Sequence, residues 1–378
     1  MSQLHIAHLS SVHPPFDIRI FHKECRSLAS AGYRVSLVVT HSHDEMRDGV
    51  QLVAVPLASS RWKRMLVTPV HILRKALPLN ADVYQFHDPE LIPVGLLLRL
   101  LGRRVVYDVH EDVPLDLLHK TYLPSWVAKS LSLVAKLVHK VADLSLSGIV
   151  VVTPGVAEPF RDPVMVRNFP LLEEFTELGP PLDQRPEAAV YVGVMGPTRG
   201  TRDMTEVATI LAASGERTIE LAGSIRDDPE LQAKLAADGE SGPMRYHGVL
   251  DRDGVRSLLD GARVGLYLSP PEILAAVASY PIKVFEYMAA GLPVVVSDFP
   301  TLREIIGGAE CGLLVDPRDP AAVAEAIIWM IEHPLEAEEM GRRGRKAVFE
   351  HYNFAGEAEN LDHFYRQLCA SDPAPHHP

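Results

Sequence analysis

The sequence has little cysteine, no long apolar run and no excess of positive charge. Its 378 residues include three cysteines, Cys25, Cys311 and Cys369, which are odd in number and far apart. This spacing fits neither a disulfide framework nor a zinc motif, so it indicates a reducing compartment. The formal net charge of -12 argues against nucleic acid as the main partner, because surfaces that bind nucleic acid are basic.

The chain also lacks a stretch that is apolar enough to span a membrane, which needs roughly 18 residues. Its first residues, MSQLHIAHLSS, have no basic region followed by an apolar one, so no secretion signal is predicted. We therefore expect a cytoplasmic protein. With 47% hydrophobic and 23% charged residues, the composition is typical of a folded globular chain.

What is present is a regular alternation of short β-branched runs and amphipathic helical patterns. Residues 4–9 and 105–109 are typical strands, and residues 20–31 have a helical pattern that ends at Gly32. Alternation of this kind predicts parallel sheets covered by helices on both faces. We therefore expect an α/β protein with two doubly wound, Rossmann-like domains that face each other across a cleft at the carboxyl ends of their strands.

A pause in this alternation predicts the domain boundaries. Residues 168–187 contain four prolines and little periodicity, and a second alternating series begins at residue 189. Residues 1–169 carry 19 basic and 15 acidic side chains, whereas the remainder carries 18 and 34, so the halves should have different neighbours. The predicted parts are a first domain at 1–169, a linker at 170–187, a second domain at 188–350, a helix at 351–370 that packs back on the first domain, and a disordered tail at 371–378.

The most informative stretch is YPIKVFEYMAAGLPVVVSD, at residues 280–298. Its pattern predicts a helix with Lys283 in the first turn and Glu286 one turn later, close to the same face. Because Phe285 and Met288 are apolar, Glu286 should be partly buried, although a solvated helix carboxylate is the alternative. A buried carboxylate needs hydrogen-bond donors, and the two hydroxyls of a ribose would supply them.

This stretch resembles the signature of the family 4 glycosyltransferases, which have the GT-B fold, use nucleotide-diphosphate sugars and retain the anomeric configuration. The resemblance covers most of the chain. Further fragments that are similar to the family occur in the expected order: HPPFDIRIFHKE at 13–24, FHDPELIPVG at 86–95, VVYDVHE at 105–111, YVGVMGPTRG at 191–200, LAGS at 221–224, YHGVLDRD at 246–253 and CGLLVDP at 311–317.

The resemblance implies that the second domain binds the donor. Glu286 would bind the ribose, while Arg199 and Lys283 would face the diphosphate. Fixed cations and helix N-termini stabilise the negative charge of a leaving diphosphate, so the physical chemistry agrees. Gly196 and Gly200, in the glycine-rich loop that ends near Arg199, are further donor-site candidates, although such turns also occur for packing alone.

One histidine of the second domain and several residues of the first complete the candidates. His247 follows a strand, and the resemblance implies that it contacts the nucleobase, with a packed histidine as the alternative. His110 ends a strand, and the resemblance implies that it contacts the transferred sugar or the acceptor as a catalytic residue. The acceptor-side candidates are His13, Asp17, Arg19, His87 and Glu111. Arg19 would pair with Asp17 or reach a phosphate, and a structural turn is the alternative for His87.

No metal site is predicted. Residues 108–112 contain three carboxylates and a histidine, but their spacing fits no common divalent-metal motif. The resemblance likewise implies neither a tightly bound metal nor another cofactor. Two departures from the family pattern are Ala278, where many relatives have a glutamate, and residues 12–15, Val-His-Pro-Pro, where many have a Gly-Gly turn; the prolines should stiffen that loop.

The resemblance implies transfer of a sugar from a UDP- or GDP-sugar to an acceptor hydroxyl in surface polysaccharide, glycolipid or glycoconjugate biosynthesis. The alternatives are a nucleotide-sugar epimerase on the same fold and a non-catalytic protein that binds sugar nucleotides. A dinucleotide-dependent oxidoreductase is disfavoured because neither domain has Gly-x-Gly-x-x-Gly after its first strand. A phosphorylase is disfavoured because no motif for a pyridoxal-binding lysine is evident.

Two basic stretches of the first domain predict peripheral contact with an anionic membrane, at the inner face of the cell membrane. Arg61, Lys63, Arg64, Arg74 and Lys75 cluster in one stretch. In the other, at residues 127–140, three lysines recur among apolar residues. An ordinary solvated helix face is the alternative. Membrane contact would favour a lipid-linked sugar as the acceptor.

Overall fold

The computed structural model describes residues 3–118, 123–196, 201–270 and 280–371. They form two compact units with separate sheets. Unit 1 contains the described residues up to Asn168 and the helix that begins at Phe354, and unit 2 is Phe169–Asn353. The C-terminal helix therefore returns to the unit in which the chain begins.

Unit 1 is built on one sheet with the strand order β3-β4-β2-β1-β5-β6-β7-β8. Its β-branched and apolar runs are buried on both faces, as expected of a parallel sheet between helices. Only β3, which pairs with β4, is antiparallel among these strands. The strands are β1 His5–Leu9, β2 Arg34–Thr40, β3 Glu45–Arg47, β4 Val50–Val55, β5 Val83–Phe86, β6 Arg104–Val109, β7 Gly148–Val151 and β8 Val164–Met165.

Helices cover both faces of the unit 1 sheet. The helix predicted at 20–31 begins earlier and has two parts, a π-helix at Ile18–Cys25 and an α-helix at Arg26–Ser30. Asp17 caps it by accepting hydrogen bonds from the backbone N–H groups of Arg19 and Ile20, both at 2.9 Å. The other helices are Arg61–Leu66, Thr68–Ala76, Leu77–Leu79 (3₁₀), Pro89–Leu91 (3₁₀), Ile92–Leu100, Val113–Leu118, Ser125–Ser145, Pro154–Ala157 and Phe354–Ser371.

Unit 2 is a parallel sheet with the strand order β11-β10-β9-β12-β13-β14. The prediction of an α/β protein with two doubly wound sheets is confirmed. The strands are β9 Ala188–Val192, β10 Thr218–Ala222, β11 Met244–Tyr246, β12 Val264–Tyr267, β13 Val294–Ser297 and β14 Gly312–Val315. The helices are Leu172–Phe175 (3₁₀), Leu182–Gln184 (3₁₀), Thr201–Ala213, Pro229–Asp238, Gly239–Ser241 (3₁₀), Arg252–Asp260, Ile282–Ala289, Pro300–Leu302, Arg303–Gly307 (π), Pro320–Glu332 and Pro334–Glu350.

Two segments outside the sheets differ in detail from the expected boundaries. Residues 170–187, predicted to be a linker, belong to unit 2, where Phe175 and Leu182 are buried in the core. These anchors are isolated apolar residues without a period, so the sequence pattern did not reveal them. The C-terminal helix begins at Phe354 and packs in unit 1, where the Tyr365 hydroxyl donates to Oε1 of Gln85 at 2.5 Å. Apart from residue 371, the predicted tail lies outside the described residues.

Each sheet has a point where the direction of strand addition reverses, and ligands bind doubly wound sheets at such points. In unit 1 this point lies between β1 and β5, and in unit 2 between β9 and β12. The loops that leave these strands at their carboxyl ends are therefore where functional groups should gather. None of the helices in the described residues combines the length and apolar character that a membrane span requires.

Candidate functional site

In unit 1, Asp88 ties together the two loops at the reversal point. Its Oδ2 accepts hydrogen bonds from the backbone N–H of Ser11 at 2.6 Å and from the Ser10 hydroxyl at 2.9 Å. Both serines follow β1, whereas Asp88 follows β5. Its other oxygen lies 3.4 Å from Nε2 of His13, so the predicted residue His13 is held beside the end of β5.

Asp108, in β6, is the centre of a buried polar cluster. Its carboxylate lies 2.9 Å from Nε2 of His110 and 3.1 Å from Nδ1 of His87, and it accepts from Nη2 of Arg19 at 3.0 Å. Burial alone would raise the pKa of Asp108, but Arg19 and His110 hold that pKa well below its usual range. The structure thus brings together His87, His110 and Arg19, which are distant in the sequence.

Arg19 is buried, with 6% of its surface exposed. Besides Asp108 it pairs with Glu24 at 3.1 Å and donates to the carbonyl oxygen of Val166 at 3.1 Å. Asp17, with which the sequence suggested a pair, instead caps the helix through its carboxylate. Nearby carboxylates outweigh the effect of burial and raise the pKa of Arg19. Arg19 therefore acts as a buried cation that holds other side chains.

Beneath this cluster lie two buried groups that the sequence did not single out. Nδ1 of His8, in β1, lies 3.0 Å from Nε2 of His87, and burial lowers the pKa of both rings, which favours their neutral forms. Glu24 accepts from the Gln85 amide at 2.8 Å, and burial raises its pKa well above the ordinary value. The cluster therefore combines a charged pair with neutral groups.

His110 and His13 are the more accessible members at this edge. The side chain of His110 is partly exposed, and its ring centroid lies 5.5 Å from that of His13. Nδ1 of His13 lies 3.4 Å from Oδ2 of Asp17. Burial would lower the pKa of His13, but Asp17 and other carboxylates raise it. Glu111 follows β6 with an exposed side chain.

Four members of the cluster are of metal-binding types and lie close together: Glu24, His87, Asp108 and His110. The Arg19 guanidinium, however, is paired with both carboxylates of this set. The buried positive charge of Arg19 would repel a metal ion at this position. The arrangement therefore favours an arginine-centred cluster over a metal site.

In unit 2, glycines form the carboxyl edge of three adjacent strands. Gly193 follows β9, Gly223 follows β10 and Gly248 lies after β11, with φ angles of 143°, 130° and 72°. The N–H of Gly223 donates to the Gly248 carbonyl at 2.7 Å, and a Cβ on Gly223 would overlap the Gly193 carbonyl oxygen. A side chain is thus excluded at Gly223, where the edge presents backbone, as an approaching phosphate requires.

The loop after β9 continues this edge as far as it is described. A Cβ on Gly196 would lie 2.7 Å from the carbonyl oxygen of Arg226, so a side chain there would collide with the neighbouring loop. The predicted donor-site residues Arg199 and Gly200 lie outside the described residues, as does Ala278.

Lys283 reaches this glycine edge from the helix Ile282–Ala289. Its Nζ lies 3.2 Å from the hydroxyl of Tyr191 and 4.7 Å from the centroid of that ring. Its side chain occupies the space that a Cβ on Gly193 would need. The predicted cation therefore lies at the end of β9, and Tyr191 and Gly193, which the sequence did not single out as its neighbours, fix its position.

Glu286 lies on the same helix and is 8% exposed, in accord with its apolar neighbours. Its Oε1 accepts from Nη1 of Arg252 at 2.9 Å, and Arg252 also pairs with Glu174. Burial would lower the pKa of Arg252, but the two carboxylates raise it. A protein cation thus satisfies the carboxylate for which ribose hydroxyls were predicted, a partner that no local pattern indicated.

His247 has a definite partner within unit 2. Its Nε2 lies 2.6 Å from Oε2 of Glu220, in β10. Both residues line a groove of about 630 Å³, together with Gln232, Leu235 and Arg245. His247 is therefore a partnered histidine whose ring borders open space.

Comparisons with known proteins agree with this arrangement. Residues 19–168 match the family model described as a glycosyl transferase 4-like domain, and residues 186–333 match glycosyl transferases group 1. The chain is 30% identical over 146 residues to a phosphatidyl-myo-inositol mannosyltransferase of Mycobacterium leprae, which is 39% of this chain and 37% of that protein. It is 29% identical over 208 residues to the alpha-maltose-1-phosphate synthase of Mycobacterium tuberculosis, 51% of each chain.

The chain thus spans about half or less of the length of these curated relatives. Among solved structures, Anabaena HepE in complex with UDP-glucose superposes with a TM-score of 0.70 at 12% identity, over 97% of this chain and 100% of that one. This likeness concerns the fold, whereas the family models match both units. The chain belongs to the family 4 glycosyltransferases and has the GT-B fold.

Proposed function

We propose that this protein transfers a sugar from a UDP- or GDP-sugar to an acceptor hydroxyl with retention of the anomeric configuration. The observation that carries the proposal is the helix Ile282–Ala289, which presents Lys283 to the glycine edge and buries Glu286 one turn later. One helix thereby offers a cation for a diphosphate and a carboxylate for a ribose.

The diphosphate binds at the glycine edge of unit 2. Gly193 and Gly223 keep this edge free of Cβ atoms, and Lys283 lies in the first turn of its helix. When the sugar–phosphate bond breaks, negative charge grows on the leaving diphosphate. A fixed ammonium group and the positive end of a helix dipole stabilise that charge. Arg199, assigned to the diphosphate by the resemblance, would add a second cation.

The ribose binds at Glu286. Arg252 now donates to Oε1 of this carboxylate, and it keeps Glu174 as a second partner. Two ribose hydroxyls can therefore donate to Glu286 while Arg252 remains paired and the carboxylate stays anchored. We place the nucleobase toward His247, whose pairing with Glu220 leaves its ring at the border of open space.

The acceptor-side groups come from unit 1. Asp108 and Arg19 fix His110, whose partly exposed ring contacts the transferred sugar or the acceptor. His13 and Asp17 extend this edge as a partly exposed pair, and the exposed Glu111 supplies a further polar group. Arg19 and His87 are buried, so we assign them positioning roles rather than contact with the acceptor.

The partners of the two buried carboxylates in unit 1 support retention without a covalent intermediate. Asp108 is engaged by a guanidinium and two imidazoles, and Glu24 is held by Arg19 and Gln85. Neither is placed as a nucleophile. Attack of the acceptor on the face from which the diphosphate leaves, assisted by a phosphate oxygen, requires no protein nucleophile.

The test is donor binding and turnover in three variants. Glu286→Gln should weaken binding of UDP or GDP by about 10-fold or more, the worth of a lost charged hydrogen bond. Lys283→Met should lower turnover by about 100-fold or more, because a group that stabilises the leaving charge is lost. Glu174→Gln is the matched control, since it removes the other partner of Arg252 and leaves Glu286 in place.

Calorimetry with UDP and GDP, followed by product analysis with candidate acceptors, separates the alternatives. Conversion of the nucleotide-sugar into an isomeric nucleotide-sugar without an acceptor would establish an epimerase. Nucleotide binding without turnover over a broad acceptor panel would establish a non-catalytic binder. Undiminished affinity in Glu286→Gln would remove the ribose assignment.

We also propose that unit 1 contacts an anionic membrane and that the acceptor is a lipid-linked sugar, which places the reaction in glycolipid or polysaccharide synthesis. The helix Ser125–Ser145 exposes several large apolar side chains to solvent. Trp126 is 74% exposed and Leu137 63% exposed. Lys129, Lys136 and Lys140 are exposed on the same helix, so apolar and basic groups act together.

Vesicle co-sedimentation tests this surface. Wild-type protein should bind vesicles that contain phosphatidylglycerol, and binding should weaken as salt increases. Leu137→Glu should abolish the binding. Leu335→Glu is the matched control, because Leu335 is 80% exposed on unit 2, outside the basic helix. Salt-independent binding, or equal effects of both variants, would refute the proposed surface.

A further inference from the structure

A separate cluster of metal-binding side chains lies at the carboxyl end of β2. Nε2 of His41 lies 3.0 Å from Oε1 of Glu45, and Nε2 of His43 lies 4.0 Å from Oε2 of the same carboxylate. The two imidazole rings have centroids 5.1 Å apart and planes 31° apart. Two ring nitrogens and one carboxylate thus converge on a common space.

The turn that carries these groups is fastened to β4. The backbone N–H of His41 donates to the carbonyl oxygen of Val55 at 3.2 Å. Asp44, inside the turn, accepts a hydrogen bond from the backbone N–H of Ala54 at 2.7 Å. Glu45 begins β3, which pairs with β4. The backbone that carries the three side chains is therefore held to β4 at both ends of the turn.

The Nδ1 atom of His43 has a hydrogen-bond partner, as the second ring nitrogen of a metal-bound histidine usually does. Nδ1 of His43 lies 2.8 Å from the Ser42 hydroxyl. When Nδ1–H donates to the Ser42 hydroxyl, the lone pair of Nε2, on the Glu45 side of the ring, is available to a metal ion. Histidines that ligate metals are oriented in this way by outer-shell partners.

We propose that His41, His43 and Glu45 bind a divalent transition metal of the zinc class, with water in the remaining position. Two imidazoles and one carboxylate are a ligand set that zinc uses in proteins. Tetrahedral ligands at about 2.1 Å from the ion are about 3.4 Å apart, and the observed distances of the two Nε2 atoms from the oxygens of the Glu45 carboxylate, 3.0 and 4.0 Å, bracket that value. Small side-chain rotations would therefore suffice to complete the site.

The site would have a structural consequence close to the proposed acceptor side. The ring of Phe16 packs edge-on against His41, with centroids 5.9 Å apart. Phe16 belongs to the loop after β1 that also carries His13 and Asp17. An ion at His41 would hold this contact in place and restrain that loop. The metal site itself stands independently of the proposed transfer reaction.

Titration calorimetry of the metal-stripped full chain with ZnCl₂ tests the site. One ion should bind per chain. His43→Ala should weaken binding by about 100-fold or more because a ligand is lost, and Ser42→Ala should weaken it by about 10-fold because only the orienting partner is lost. A merely structural role of Ser42 would leave zinc affinity unchanged, and that result would count against the proposed geometry.

Two control variants exclude other histidines. His351→Ala should bind as wild type, because His351 lies 4.0 Å from Glu350 as His43 does from Glu45 but belongs to neither cluster of metal-binding groups in the described residues. A variant with both tail histidines, His376 and His377, changed to alanine should also bind as wild type. Three results would overturn the proposal: loss of zinc binding in either control, full binding in His43→Ala, or no binding in the wild type.

Electron paramagnetic resonance of bound Cu²⁺ counts the imidazole ligands directly, because each coordinated nitrogen splits the signal. Cu²⁺ binds the same nitrogen and oxygen ligands more tightly than Zn²⁺ does. Wild type should show two imidazole nitrogens and His43→Ala one. A single nitrogen in wild type would show that the two histidines do not act together.

Discussion

Units 1 and 2 share one architecture, but different chemical groups form the edge at the reversal point in each unit. Unit 1 uses buried ionisable side chains, with Arg19 and Asp108 at the centre. Unit 2 uses backbone at Gly193 and Gly223, with Lys283 and Glu286 supplied by one helix. The first edge depends on the pairing of charges, and the second depends on the exclusion of side chains.

Mutations at the two edges should therefore have different effects. A buried charge that loses its partner is costly, so changes at the unit 1 edge should first be seen in stability. A glycine that gains a side chain displaces its neighbour, so changes at the unit 2 edge should first be seen in donor binding and turnover. The same architecture thus links function to stability differently in its two copies.

The largest expected effect is on stability in unit 1. Asp108→Asn leaves Arg19 buried without its charged partner and should lower the free energy of unfolding by about 3–5 kcal/mol. Glu286→Gln should cost less than about 1 kcal/mol, because its partner Arg252 has a side chain that is 38% exposed and keeps Glu174. Urea unfolding with hydrogen exchange resolved for each unit would measure both changes. Similar losses in the two variants would contradict the contrast between the units.

The next effect is on function in unit 2. Gly193→Ala would place a methyl group where the Lys283 side chain lies, so turnover should fall by about 100-fold, as for loss of a charge-stabilising group. Gly32→Ala, in unit 1, is the matched control. That glycine also has a positive φ, of 91°, but no heavy atom lies within 4 Å of its added Cβ. Each variant should lose about 1–2 kcal/mol of stability because alanine disfavours a positive φ. Only Gly193→Ala should also lose activity.

These contrasts also show how much the sequence could predict. The parallel sheets follow from apolar runs between helical patterns, and the positions of His87 and His110 follow from strand ends, which meet at one edge. The Arg19–Glu24 pair was missed because the two residues are five positions apart. Such a pair diverges on an α-helix, but both lie in the π-helix Ile18–Cys25, whose wider turn brings them to one face.

Partners from distant elements were missed for a different reason. Arg252 reaches Glu286 across 34 positions and Tyr191 reaches Lys283 across 92. Neither contact has a period or a motif. Burial of Glu286 could be predicted from its apolar neighbours, but the identity of its donor depends on how the helix Arg252–Asp260 packs. Local pattern therefore gives the position of the site, and tertiary packing gives its pairings.

A smaller effect concerns acid stability. Burial lowers the pKa of His8 and His87 from the ordinary value of 6.5, so below that pH the unfolded chain takes up protons first. The free energy of unfolding should therefore fall as the pH falls below 6.5, by at most about 1.4 kcal/mol per pH unit for each ring. Glu24 has the opposite effect. Because its pKa is raised, its contribution to the free energy of unfolding is lost as the pH rises above 4.5.

The difference between wild type and His8→Leu isolates the histidine contribution. Hydrogen exchange in unit 1, measured across this pH range, should show a shallower decline in the variant. An identical slope in both proteins would mean that His8 is already protonated in the folded state, against the effect of its burial.

The smallest expected effect is at the rim of unit 1, where His13 and Asp17 form a partly exposed pair. The pKa of His13 is raised from 6.5 and that of Asp17 is lowered from 3.8. The pair therefore stabilises the fold above pH 3.8, loses that effect as Asp17 becomes protonated in acid, and loses it again as the pH rises through the raised pKa of His13. His13→Gln should cost less than about 1 kcal/mol between these limits and nothing at pH 9. Thermal melts of both proteins at several pH values would show this window, and a cost that persists undiminished at pH 9 would show that packing of the ring, rather than its charge, holds the rim.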